Sequence, residues 1–305
     1  MNQQVDRRAN LSYQDFAAQY LYKNRPVVVT GALSRWSALS RWTPEFFRDN
    51  FGTMKFTIDV REKAETDYKA GGSTEYTMAQ FIEQVLASTD EKPAPYFRNK
   101  ILYQLFPSLA ADIEPLPPYF FPNWLPEPYL LGNVRKVFNR GGQIELYIGG
   151  KGGAFPVLHY DGLASHAFLM QVYGRKQFIL YAPDQEPFMY PIPGQPNVSQ
   201  IRHVERPDLS QFPLFVRAQQ TSFVLEPGEL LFIPSRWWHT TKMLTPCISV
   251  SANVVNRSNW GALTEFVCSK RTPLMRIPSR VYLNMAGSWR SLRDWRLGSP
   301  VPSST

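Results

Sequence analysis

Histidine and cysteine are scarce in this chain, with four and two copies in 305 residues. Cys247 and Cys268 cannot build a disulfide framework, so a reducing, cytoplasmic compartment is expected. No run of eighteen apolar residues occurs, so no membrane-spanning helix and no membrane partner are expected. The opening "MNQQVDRRANLSYQDF" lacks the apolar centre of a signal peptide. Internal repeats and low-complexity segments are absent as well. Acidic residues are missing from one place in particular. Between Lys270 and Arg296 seven basic residues stand against Asp294 alone, and the rest holds 26 basic and 24 acidic residues. Such a tail suits a solvated helical face, or contact with nucleic acid or an acidic partner.

What the chain does have is proline, 26 residues, and aromatics at 14%. These point to firm turns and large packed side chains. The N-terminal part reads as helix and strand in turn. In "SYQDFAAQYLYKNRP" Ser12 is a candidate N-cap, and "VVVTG" follows as a buried strand. In "TPEFFRDNFG" Thr43 caps, Pro44 takes the first helical position and Gly52 stops the helix. "MKFTIDVR" alternates as a strand. "YTMAQFIEQVLAST" carries a Thr77–Gln80 capping box and an apolar face of Met78, Phe81, Ile82, Val85 and Leu86. Leu102 to Trp124 reads as an irregular connection. Then come "IELYIGG", "HAFLMQVYG", "KQFILYAP", "TSFVLEPGE", "LLFIPS" and "CISVSANVV", separated by turn residues. Many short strands of this kind predict a mainly β barrel or jelly roll with flanking helices. The expected division is a domain over residues 1–260 that includes the N-terminal helices, and a basic helical extension over residues 261–305.

In "LHYD", His159 and Asp161 are two apart, so on a strand they face the same space. About eighty residues later "EPGELLFIPSRWWHTT" brings a turn, a strand and His239. A rolled barrel makes distant strands neighbours, so His239 is a candidate third member. Two histidines and one carboxylate on one side of a metal leave the other positions open, as in non-haem Fe(II) oxygenases. HxD alone is a weak signal, and a histidine after two tryptophans could merely pack on them. The combination is specific. Lys176 shares a strand face with Phe178 and Leu180, and a buried lysine is costly unless an anion meets it. In "CISVSANVV", Ser249, Ser251 and Asn253 share one face, which reads as a wet pocket or as an exposed sheet face.

With these residues in place the chain resembles the JmjC/cupin-like Fe(II)- and 2-oxoglutarate-dependent oxygenases, including the asparaginyl hydroxylase that inhibits hypoxia-inducible factor. The resemblance runs from "NRPVVVTGAL" through "LHYD", "QVYGRKQFILYAPDQ" and "PDLSQFPLF" to "PGELLFIPSRWWH" and "SVSANV". It implies a double-stranded β-helix (cupin/jelly-roll) and Fe(II) on His159, Asp161 and His239. It implies 2-oxoglutarate with its distal carboxylate on Lys176, Tyr96 of "PYFRN" beside it, and Asn253 near the metal-bound end. Arg98 and His166 are candidate substrate contacts. Pro156 stands where relatives often carry a Thr or Ser for the co-substrate. Lys176 follows His159 by seventeen residues, a spacing that some members share.

The implied reaction is hydroxylation with O2, coupled to decarboxylation of 2-oxoglutarate to succinate. The substrate classes are a peptide or protein side chain, a free amino acid or other small molecule, and a modified RNA base as the weaker option. A homodimer through the C-terminal helices is a further expectation. The competing reading is a catalytically inactive cupin-type binding module acting through its basic tail. A metal-dependent cupin isomerase or hydrolase would usually ligate with more histidines, and His203 in "IRHVERPDL" has no evident part in a metal site.

Overall fold

Short apolar stretches bounded by Gly, Pro and Asn become strands because alternate side chains can then bury on one face. The computed structural model describes residues 4–60, 72–125 and 144–296, so the last nine residues of the expected extension lie outside the described residues. The first strands are β1 (Asp6–Ala9), β2 (Val27–Thr30), β3 (Lys55–Val60), β4 (Gly72–Thr77), β5 (Phe97–Ile101), β6 (Ile144–Gly149) and β7 (His166–Tyr173). After them come β8 (Lys176–Tyr181), β9 (Pro191–Ile192), β10 (Gln195–Ser199), β11 (Thr221–Leu225), β12 (Leu230–Ile233), β13 (Trp238–Met243) and β14 (Cys247–Val254). The helices are α1 (Tyr13–Phe16), α2 (Ala38–Arg41), α3 (Pro44–Phe51), α4 (Met78–Leu86), α5 (Leu102–Leu105), α6 (Trp260–Ser269) and α7 (Pro273–Arg296).

The expected caps form. Ser12 Oγ accepts from Asp15 N at 3.0 Å, Thr43 Oγ1 from Phe46 N at 3.1 Å, and Thr77 and Gln80 complete the reciprocal capping box. The Leu102–Trp124 stretch is more ordered than its sequence suggests. It forms α5 and two 3-10 turns, pinned by Asp112, which takes hydrogen bonds from Trp42 Nε1 at 2.9 Å and Ser37 Oγ at 2.8 Å and pairs with Arg41.

A seven-stranded sheet runs in the order β1-β2-β12-β7-β14-β6-β5, and a three-stranded sheet in the order β11-β8-β13. Backbone bridges from His159 to His239 and to Val198 extend the smaller sheet toward β10. The outer face of the large sheet packs Phe168, Met170, Phe232, Ile248 and Val250 against Phe16, Phe47, Phe81 and Phe106 of the N-terminal segments. Each such side chain contributes about 1.5–3 kcal/mol over its exposed state. Between the two sheets a second cluster joins Val28, Leu231 and Ile233 to Phe178, Leu180 and Leu225. Helices α6 and α7 close over Trp124 and Val255.

Helical turns take 35% of the described residues and strands 28%, so the content is mixed rather than mainly β. The 24-residue α7 and the proline-started 3-10 turns make the difference. Among the described residues no helix is long and apolar enough to cross a membrane.

His166 opens β7, as the strand-like run that begins with it predicts, and it is 1% exposed. Its Nδ1 accepts from Ser235 N at 3.0 Å, so Nε2 carries the hydrogen toward Ser258 Oγ at 2.8 Å. Both ring nitrogens are used internally, which leaves neither for a substrate.

Two predictions follow from these positions. Gly174 has φ +71°, and a Cβ there would lie 1.8 Å from the Pro246 carbonyl oxygen, a backbone atom that cannot step aside. Gly174→Ala should therefore cost about 2 kcal/mol or more, read as a lower urea midpoint. Burial pushes the His166 pKa from 6.5 down to about 3. The folded state then binds fewer protons than the unfolded one, so stability is full above pH 6.5 and falls as pH drops toward 3, by about 1.4 kcal/mol per unit. His166→Asn keeps an acceptor for Ser235 N and should flatten that part of the pH profile in chemical denaturation. An unchanged slope would refute the assignment.

Candidate metal centre

The segment before β7 runs antiparallel to β13. His159 N donates to His239 O at 3.1 Å and His239 N returns to His159 O at 2.6 Å. Residues paired this way project side chains to the same face. The two imidazole centroids are accordingly 4.4 Å apart. His159 Nδ1 lies 3.3 Å from the Val157 carbonyl and His239 Nδ1 lies 3.0 Å from the Trp237 carbonyl. A carbonyl only accepts, so each Nδ1 carries the hydrogen and each Nε2 presents a lone pair. Asp161 Oδ1 is 3.8 Å from His159 Nε2, and one donor atom from each of the three residues lies within 4.8 Å of the others.

His239 is buried, whereas the His159 and Asp161 side chains keep 15% and 22% of their surface, so the set opens on one side. Burial, and then the neighbouring His239, hold the His159 pKa well below its ordinary value. Burial raises that of Asp161, against His239 and a hydrogen bond from the Asn253 side chain. Asn253 Nδ2 also donates to Ser165 Oγ at 2.7 Å.

At the far end of the same strand pair, β13 places Met243 opposite Lys176 and His239 opposite Leu180. The two levels are four residues, about 13 Å, apart along the strand. Lys176 is 2% exposed, and its Nζ reaches Ser249 Oγ at 2.8 Å and Tyr96 Oη at 3.3 Å. Its ammonium also lies 5.7 Å from the Tyr96 ring centre and 5.8 Å from that of Tyr147. Among the described residues no carboxylate pairs with it. Thr241 alternates between these levels, and its Oγ1 is buried with no hydrogen-bond partner.

The fold thus gathers His159, Asp161, His239 and Asn253 at one end of this strand pair, and Lys176 with Tyr96 at the other. Arg98 stands behind the metal-binding end. Its guanidinium lies 5.5 Å over Phe155, which stacks on His159 at 4.5 Å. His166 stands apart, enclosed as described above. Thr241, Tyr147, Glu145 and Gln171 were not anticipated. Tyr147 Oη donates to Glu145, and burial raises both pKa values. In "IELYIGG", Glu145 and Tyr147 alternate with Ile144, Leu146 and Ile148, so period-two polarity was the available signal.

This geometry can be set against known proteins. The cupin-like domain family matches residues 13–256. An arginine-specific demethylase of Arabidopsis thaliana is 30% identical over 267 residues, covering 82% of this chain and 56% of its own length. Lysine-specific demethylase 8 of Danio rerio is 31% identical over 247 residues, 79% of this chain and 55% of its own. tRNA wybutosine-synthesizing protein 5 of Mus musculus is 27% identical over 254 residues, 77% and 72%. The chain therefore spans little more than half the length of the first two. With the matched domain covering most of the chain and the HxD…H donors converging inside it, the chain belongs to the cupin-like JmjC domain family, whose members use Fe(II) and 2-oxoglutarate.

Proposed function

We propose that this protein is an Fe(II)- and 2-oxoglutarate-dependent oxygenase that hydroxylates an amino-acid, peptide or protein, or other small-molecule substrate. Its core would be a double-stranded β-helix within residues 1–260, with residues 261–305 as a basic helical extension of the same domain. The observation that carries the reading is Lys176, a buried ammonium hydrogen-bonded to hydroxyls and, among the described residues, paired with no carboxylate, on the same strand pair as His239. A buried cation of this kind calls for an anion. The orphaned Thr241 hydroxyl faces the same need for a partner. A small dicarboxylate held at one end by a metal fits both.

His159, Asp161 and His239 would hold Fe(II), as two neutral nitrogens and one anionic oxygen. Iron and co-substrate together supply the oxidising power for hydrogen abstraction and hydroxyl delivery. The chain's own part is ligation and orientation. The Val157 and Trp237 carbonyls fix both imidazole tautomers, and the Asn253 amide steadies Asp161. Lys176, Tyr96 and Thr241 would receive the distal carboxylate, Thr241 standing in for the hydroxyl that Pro156 lacks. Demethylation, which the names of two relatives state, and a tRNA substrate, which the third suggests, remain substrate options here.

The outer side of α7 exposes Leu274, Ile277, Val281, Met285, Trp289, Leu292 and Trp295 at helical spacing, opposite the buried Leu283 and Gly287. A second copy could cover this stripe through a two-fold contact. Light scattering should then report a dimer, and Met285→Glu with Trp289→Glu should leave a monomer. A wild-type monomer at all concentrations would end this part of the proposal.

The central test is anaerobic reconstitution with Fe(II) and 2-oxoglutarate. A weak visible absorption band should require both additions and vanish in His159→Ala. Asp161→Ala should abolish turnover while leaving the melting curve near wild type. Thr241→Val should weaken 2-oxoglutarate about tenfold, the factor for about 1.4 kcal/mol. No iron uptake by wild type would shift the reading to the binding module.

A further inference from the structure

Two adjoining cavities lie beyond the metal-binding set. One, of about 470 Å³, is bordered by Ile192, Gln211 and Phe212. The other, of about 650 Å³, passes Ile179 and Lys242 and ends at Phe155, the ring stacked on His159. Arg202, His203 and Arg206 line both, so the two form one groove with a basic wall at its middle.

Most charges along this groove are already engaged. Lys242 pairs with Glu205 at 3.1 Å and Asp90 with Lys151 at 3.0 Å. Asp208 accepts from Ser210 N, Ser210 Oγ and Gln211 N. Arg202 and Arg206 differ. Neither has a carboxylate within ion-pair distance among the described residues. The Nε of Arg202 is sealed from solvent and donates to nothing. The sealed Nε is out of a ligand's reach, but the terminal N–H groups of Arg202 and Arg206 have no partner among the described residues, and such a fork matches an oxyanion.

The surroundings narrow the class of anion. Asp208 borders one cavity, and Glu91 and Glu205 border the other. A phosphate chain running the length of the groove would meet these carboxylates. An extended polypeptide can place one acidic side chain at the middle and neutral or basic residues on either side. We infer that the groove binds such a mixed-charge segment of a polypeptide substrate, with one Asp or Glu seated between Arg202 and Arg206. This rests on the oxygenase reading for its purpose, since it would deliver the segment to the Phe155 edge of the metal centre.

The test is selection from a displayed library of random twelve-residue peptides on the purified full chain. It needs neither iron nor co-substrate, so its outcome is separable from that of the reconstitution. Wild type should enrich peptides with Asp or Glu at one fixed position. A selected peptide should bind at least tenfold more weakly to Arg202→Gln and to Arg206→Gln. Lys55→Gln, a basic position on β3 that borders neither cavity, should bind it as wild type does. Arg206 is exposed, so its variant keeps the test open if Arg202→Gln does not fold. Absence of an acidic preference, or equal preference in both arginine variants, would overturn the inference. So would a fluorescent dodecauridylate that binds wild type and is lost in those variants, since that would assign the arginines to phosphate.

Discussion

The reciprocal backbone bridge between His159 and His239 is the contact on which the site depends. It joins segments far apart in sequence and sets their side chains side by side. Both histidines then use the same local device, an Nδ1 hydrogen directed at the carbonyl two residues earlier. Register is thereby fixed by backbone hydrogen bonds, and each tautomer by a carbonyl of its own segment. Two lone pairs and a carboxylate are left facing one another in a partly dry recess. Those three donors repel one another when nothing positive lies between them. Burial further weakens the hold of His159 on a proton, so protons compete poorly there with a divalent cation.

The opposite end of the recess is organised by a one-way chain of hydrogen bonds. Lys176 donates to Ser249, Ser249 donates to Gln171 Oε1 at 2.8 Å, and Gln171 Nε2 donates to the carbonyls of Tyr173 and Gly174. That last pair braces the turn where the chain leaves the large sheet for the small one, just before Lys176. The lysine is thus held by the turn that delivers it. Donor–acceptor chains of this kind reinforce each other at low local dielectric. They also orient Lys176 without neutralising it, and so the charge stays available to a ligand.

Much of this could be read from the sequence, and the reason is periodicity. HxD at spacing two, the alternating polar row of "CISVSANVV" and the capping pairs at Ser12, Thr43 and Thr77 are local patterns with fixed geometric meaning. Lys176 and Tyr96, distant in sequence, lie within hydrogen-bond distance of each other. What could not be read depends on contacts between distant segments. Thr241 looks ordinary until its hydroxyl is found without a partner. His166 looks available until Ser235 and Ser258 close on it. The ordered stretch around Asp112 has weak periodicity because it is held by Trp42, Ser37 and Arg41 rather than by its own pattern.

The large sheet explains why the N-terminal helices accompany the strands. Its inner face is divided. Val28, Leu231 and Ile233 on β2 and β12 pack against the small sheet, while Glu145, Tyr147, Ser249, Ser251 and Asn253 on β6 and β14 are given to polar chemistry. A sheet with half of one face polar cannot be stabilised by sheet-on-sheet packing alone. The missing apolar contact is supplied from outside, where the same strands turn Leu146, Ile148, Ile248 and Val250 toward the aromatic side chains of α1, α3 and α4. The N-terminal helices are therefore a structural condition for the recess. They carry the burial that β6 and β14 give up in order to line the recess with a row of hydroxyls and an amide.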